Sequence, residues 1–240
     1  MSLLDNILSI FGHKPSLPSA PRPPDNAQRI YLRGDRLVWR TISDIKLALV
    51  GGDVSITGKT LDLKGAVISG KGLRHPSNSQ NENSPGIVIA LPGLVLRNGW
   101  VDDVPGGIVV KSSYCSFERL KFTRIGEDAL STVGGDADGI RISNCEFWNT
   151  AKGDKSIQLN QAFAAIISDT LVVGGITGIR IQKNSYNTKG VNCILRSCTF
   201  HGCETGFNAT ANAIVRLQSP TFKSVRKKWV LSNGAKVIEN

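Results

Sequence analysis

Apolar and polar residues alternate in short bursts along most of this chain. The plainest burst is Ile140-Arg141-Ile142-Ser143-Asn144-Cys145-Glu146-Phe147: apolar side chains at alternate positions, a polar turn residue, then a second apolar pair. The unit recurs over 94–101, 117–122, 167–172, 195–200 and 217–222. Its last apolar residues are Val101, Phe122, Phe147, Val172, Phe200 and Phe222, with gaps of 21, 25, 25, 28 and 22. Alternation of period two predicts strands, and a loosely kept repeat in the twenties predicts a solenoid. A second series, Ile87, Ile108, Ala129, Ile157, Ile179 and Phe207, has gaps of 21, 21, 28, 22 and 28. Two strand ladders with one average period predict an all-β fold, a parallel β-helix; a β-sandwich of short strands is the competing reading. Stacked coils place like on like, so Phe122 and Phe147 should meet inside, about 4.8 Å apart. Leu61, Leu63 and Ile68 predict one earlier coil.

The remaining segments differ in pattern. Leu3, Leu4, Ile7, Leu8 and Phe11 share one helical face, and Gly12 ends that helix. Asp5 and Asn6 interrupt the apolar run and no Lys or Arg precedes it, so it does not read as a secretory signal; it is too short for a membrane span. Residues 14–24 form an extended, Pro-rich linker. The helix is expected to pack on its own domain or on a neighbour, and 1–27 together predict an arm that docks on neighbouring protein subunits, which implies a homo-oligomer, a trimer by fold-level analogy. Residues 28–50 predict a hairpin around Gly34-Asp35 and a short helix over 42–49 that caps the solenoid's open end. The β-helix is expected over 51–223, with a polar loop at 75–85, and a basic C-terminal cap over 224–240.

Composition adds a partner class. The net charge is +10 and the pI near 9.6, which suits a polyanion. No aromatic-basic motif interleaves with the charge, so nucleic acid is not expected, and acidic polysaccharide and an acidic protein surface stay open as partners. Five cysteines without a CxxC argue against a disulfide or zinc framework. Cys145 and Cys198 take equivalent inward places two coils apart with Thr170 between them, so they should stay free and pack as small hydrophobes.

Aligning Ala129, Ile157 and Ile179 stacks Glu127, Lys155 and Thr177 in one column. Asp128 then stacks with Ser156, and Leu130 with Gln158 and Arg180. Acidic, Lys and Arg groups would thus converge on one outer face across three coils. Gly126-Glu127-Asp128-Ala129, then Asp154-Lys155 with Gln158 and Asn160, then Arg180, resembles the core of the small, basic class III pectate lyases, over about 106–180. That resemblance implies a right-handed parallel β-helix and calcium-assisted β-elimination on acidic polysaccharide. It implies Glu127 and Asp128 as calcium ligands, Lys155 and Arg180 as catalytic groups, and Gln158 and Asn160 as substrate-binding groups. Paired carboxylates suit a hard cation, a metal on the uronate makes its neighbouring proton more acidic, and a lysine among cations is a serviceable base.

The chain also departs from that pattern. The family's further acidic ligand falls at Gly106 or Gly107, one lysine falls near Val133, a second falls at Thr177, and its cysteine pairs after the arginine are missing. The expectation is therefore a non-catalytic structural or assembly protein on a pectate-lyase-like β-helix, such as a phage virion decoration, cement or tail component. The alternatives are a calcium-dependent pectate lyase or polysaccharide depolymerase, and an acidic-glycan-binding module. The expected location is a virion or the cytoplasm, with export only by a route independent of a Sec signal.

Overall fold

The computed structural model describes residues 17–32, 37–71, 86–132, 137–149, 155–160, 163–182 and 191–239. The expected N-terminal helix, the Gly34-Asp35 turn and the 75–85 loop lie outside them. The described strands fall into two sheets, one of fifteen and one of eight, and nearly all pair in parallel. The eight-stranded sheet stacks Leu37–Trp39, Ile87–Ile89, Ile108–Val110, Leu130–Thr132, Lys155–Asn160, Thr177–Gln182, Thr205–Ala209 and Lys227–Leu231. The larger sheet has two limbs, joined where Val95–Asp102 and Ser116–Thr123 each run through both. This is a β-solenoid.

Sharp corners between the limbs come from single left-handed residues. Asn98, Arg119, Asn144, Asp169, Ser197 and Ser219 have φ of 58°, 51°, 52°, 49°, 49° and 51°. They are the polar turn residues of the repeat. Asn and Asp tolerate this region better than other side chains with a Cβ. Each corner repeats the one on the coil before it, so the amide of Asn144 donates to Ser168 O at 3.1 Å and that of Asp169 to Arg196 O at 2.9 Å.

The inner column follows the first predicted series throughout: Val101 pairs with Phe122, then Phe147, Val172, Phe200 and Phe222. Phe122 and Phe147 stack with centroids 4.5 Å apart and planes 8° from parallel. The early coil is also present, with Leu61 beside Leu96 and Ile68 beside Val101. All five cysteines are buried free thiols. The predicted capping helix forms over Ile42–Ala48, held by a reciprocal cap between Thr41 and Asp44, with Ile45 fully buried.

Two boundaries move. Arg29–Tyr31 and Leu37–Trp39 do not make a hairpin: the first pairs with Val67–Ser69 in the larger sheet, the second with Ile87–Ile89 in the smaller. They are the first coil of the solenoid, because each strand finds a ready parallel edge on the next coil. Nor is 224–240 only a cap. Lys227–Leu231 and Lys236–Glu239 continue both sheets, and Trp229 stacks on Phe207 at 5.6 Å. The basic residues mask an apolar register there.

The described part of the arm lies on its own coils. A methyl group on Gly202 would collide with the side chain of Leu17, and Pro23 is buried. The Gln28 side chain bonds Gly51 O and the amide of Asp53, and its carbonyl accepts from Val67. Residues 17–28 therefore cross the outside of one limb, from Gly202 back to Val67.

Phe147→Ala should destabilise the fold by roughly 3–5 kcal/mol, the usual cost of emptying an aromatic core site, while Leu47→Ala, at an exposed site, should stay within about 0.5 kcal/mol; urea unfolding checks both. Burial pushes the thiols of Cys145, Cys198 and Cys203 up to about 12 from 9.0, and raises that of Cys193 further. Their contribution is thus fully present below pH 9 and is lost as pH rises from 9 toward 12, because only unfolded thiols ionise there. The urea midpoint should fall over that window, and less steeply in a Cys145→Ala/Cys198→Ala variant.

Candidate functional site

The eight-stranded sheet presents the predicted residues on its outward face through an irregular inside–outside pattern. Along Lys155–Asn160 and Thr177–Gln182 the second and third residues are both buried. A Cβ on Gly178 would touch Phe200 and Val172, and one on Gly206 would touch Phe222. That position therefore points inward, as do Ile157, Ile179 and Phe207 beside it. Two consecutive inward residues leave Lys155 and Gln158 both facing out.

The double position also explains a one-residue slip. Leu130, not Ala129, pairs with Ile157, and Ile157 pairs with Ile179. Ala129 and Leu130 are both buried, and either would satisfy an apolar pattern read from sequence. A slip by one changes every side-chain partner. The column expected to hold Glu127, Lys155 and Thr177 instead holds Asp128, with Lys155 Nζ 3.7 Å from Asp128 Oδ1. Ser131, not Leu130, stands beside Gln158 and Arg180.

The outcome is two outward columns three residues apart along the strands, roughly 10 Å. One holds Asp128, Lys155, Thr177 and Thr205. The other runs Ser131, Gln158, Arg180, Asn208, about 4.8 Å per step, with Ser131 only 5% exposed at its head. Lys155 and Asp128 are 13% and 20% exposed, so their pair is largely withdrawn from water. Beneath them Ile125, Glu127, Ala129, Phe147, Trp148, Lys155 and Ser156 enclose a hollow of about 10 Å³, room for one water. Ser156 Oγ, which lines it, is buried and unbonded among the described residues. A larger cleft, about 530 Å³, lies at the first coil beside Trp39, Leu47 and Val50; none of the predicted site residues reaches it.

Arg180 pairs with no carboxylate among the described residues. Beside it on the preceding coil, the Gln158 Oε1 atom is buried and lacks a described hydrogen-bond partner, as does Asn160 Oδ1 on a side chain only 5% exposed. Asn160 pairs with Gln182, at the far end of the same face. The sheet thus lines up a cation with two amide acceptors that are buried and unbonded among the described residues, flanked by the buried Ser131 hydroxyl and the Asn208 amide. Sequence reasoning missed Ser131 and Asn208 as members of this ladder; the ladder register alone reveals them.

Among the described residues the donor set falls short of what calcium takes, six to eight oxygens. Among the described residues no three His, Cys, Asp or Glu side chains converge. Asp128 faces an ammonium. The preceding coil does carry a carboxylate, Asp102, but it is wholly buried and bound by the Arg124 guanidinium and the Thr123 hydroxyl. That carboxylate holds the Arg124 pKa above its usual value.

No family model matches the chain, and no curated protein or solved structure matches it. Among the described residues no helix is long and apolar enough to cross a membrane.

Lys155→Met should leave Asp128 largely buried without its ammonium and cost about 1–3 kcal/mol. The double variant Lys155→Met/Asp128→Leu should recover part of that loss in urea unfolding, since both charges go together.

Proposed function

We propose that this chain is a β-solenoid that binds acidic polysaccharide along the outward face of its eight-stranded sheet without turning it over. The observation that carries the reading is the ladder of Ser131, Gln158, Arg180 and Asn208, with Arg180 free of any described carboxylate. A uronate chain is extended and repeats carboxylate and hydroxyl groups at regular intervals. A guanidinium takes a carboxylate through two parallel hydrogen bonds. Amide oxygens accept from sugar hydroxyls, which would satisfy Gln158 Oε1 and Asn160 Oδ1. The net charge of +10 raises the local concentration of any polyanion.

Binding is favoured over β-elimination because the lysine a lyase would use as base and the carboxylate of the preceding coil are engaged elsewhere, although Arg180 is not. Lys155 lies beside Asp128 over a one-water hollow, and Asp102 is held by Arg124. The assembly reading asks residues 1–27 to bind a neighbouring subunit of a particle. The described part, 17–27, lies on its own coils instead, so that reading stands second.

Polygalacturonate should bind and a neutral galactan should not, with affinity falling as salt rises. Arg180→Ala should weaken binding roughly tenfold or more, the worth of a hydrogen bond to a charged group, and leave the urea midpoint unchanged. Equal affinity for the neutral glycan, or an unaffected Arg180→Ala, contradicts the proposal. Growth of the ultraviolet absorbance of an unsaturated uronate product, with or without calcium, replaces binding by the lyase reading.

A further inference from the structure

A cleft of about 530 Å³ opens at the first coil. It lies between the strands Arg29–Tyr31 and Leu37–Trp39 on one side and the helix Ile42–Ala48, with the turn after it, on the other. Clefts that take a small organic molecule measure about 300–1,000 Å³. The walls are mostly apolar: Ile30, Leu37, Val38, Ala48 and Val50 line it together with Leu47. Leu47 and Val50 are 78% and 76% exposed, so both gain from a ligand that covers them. Both strands are terminal in their sheets. The first pairs only with Val67–Ser69 and the second only with Ile87–Ile89, which leaves this end of the solenoid to the helix and the cleft.

The polar groups of the cleft are unevenly spent. Asp44 is its carboxylate, and the amides of Arg40 and Thr41 donate to its Oδ2 at 2.9 and 2.8 Å. Those bonds hold the carboxyl below its usual range, so it stays charged. Arg29 is half-buried, and its guanidinium has no hydrogen-bond or carboxylate partner among the described residues. Trp39 is 1% exposed, and its indole N–H is buried without a described acceptor. A buried donor left unpaired is costly. The cleft therefore holds two unspent donors, one of them a fixed positive charge, among apolar walls. A matching ligand has an apolar body and one negative head that accepts hydrogen bonds. A carboxylate takes a guanidinium through two parallel bonds. A doubly charged head is disfavoured by Asp44 on the same cleft, and a long polyanion would set further charges against apolar walls.

We propose that the first-coil cleft binds a small amphipathic carboxylate, an aliphatic or aryl acid, with its carboxylate on Arg29 and its apolar body held between the helix and the two strands. Leu47 and Val50 close over the body, and the Trp39 N–H offers a second donor to an oxygen of the same ligand. The site is separate from the polar ladder, whose first member, Ser131, stands three strands further along the sheet from Val38. It does not depend on the glycan reading.

The test titrates the full chain with decanoate, kept below its micelle concentration, and with decanol as the uncharged counterpart. Calorimetry should show saturable decanoate binding at one site, with decanol at least ~10-fold weaker, the worth of a hydrogen bond to a charged group. Arg29→Gln should abolish that preference and leave the urea midpoint unchanged. Arg180→Ala should bind decanoate as the parent does, and polygalacturonate should not displace it. In proton resonance spectra of the parent chain, the Trp39 indole N–H should move downfield on binding. The indole N–H of Trp148, already bonded to Glu146, should stay in place. No saturable decanoate binding, equal affinity for decanol, a preference that survives Arg29→Gln, or an unmoved Trp39 signal overturns the proposal. Displacement by polygalacturonate puts the carboxylate on the polar ladder and overturns it as well.

Discussion

Parallel hydrogen bonding between successive coils is the constraint on which the rest of this structure depends. A parallel ladder is evenly spaced and tolerates no local compromise in register. Once Phe122 lies on Phe147, every residue on that coil has its partner fixed for the length of the strand. The left-handed corner at Asn144 lies between those at Arg119 and Asp169 on the adjoining coils, because a coil that turned elsewhere would break two ladders at once. Side chains then follow: apolar inside, because each inner position is closed above and below, and polar outside in columns.

That columnar order makes a linear binding surface from residues far apart in the chain. Ser131, Gln158, Arg180 and Asn208 are separated by two dozen or so positions, yet stand on adjacent rungs. A rigid row of donors and acceptors costs little to order on binding, which favours extended ligands with a repeat of their own. The same rigidity explains why the ion pair of Asp128 and Lys155 differs from its neighbour Arg180. The pair sits at the start of the strand, beside a small hollow and largely withdrawn from water, whereas Arg180 sits at mid-strand with no carboxylate in its described column.

Much of the fold is legible in the sequence, because an inner column needs only apolar residues at alternate positions and Val101 through Phe222 supply them. The site is harder to read. Ala129 and Leu130 are both apolar and both buried, so alternation does not choose between them, and aligning on Ala129 puts Glu127 where Asp128 stands. The first and last coils mislead for related reasons. A Gly-Asp turn between two short strands suits a hairpin as well as a solenoid corner, and the lysines around Trp229 hide its inward register. The arm's path is not legible at all, since a Pro-rich segment carries no periodicity that names its surface.

The register at the candidate site decides whether the polar ladder exists. Interstrand nuclear Overhauser contacts between backbone protons, recorded on deuterated protein, measure it directly. Ser131 should contact Gln158 and Gln158 should contact Arg180, with Leu130, Ile157 and Ile179 forming the adjoining row. Contacts joining Ala129 to Ile157, or none between these three strands, would contradict this register and dissolve the polar ladder.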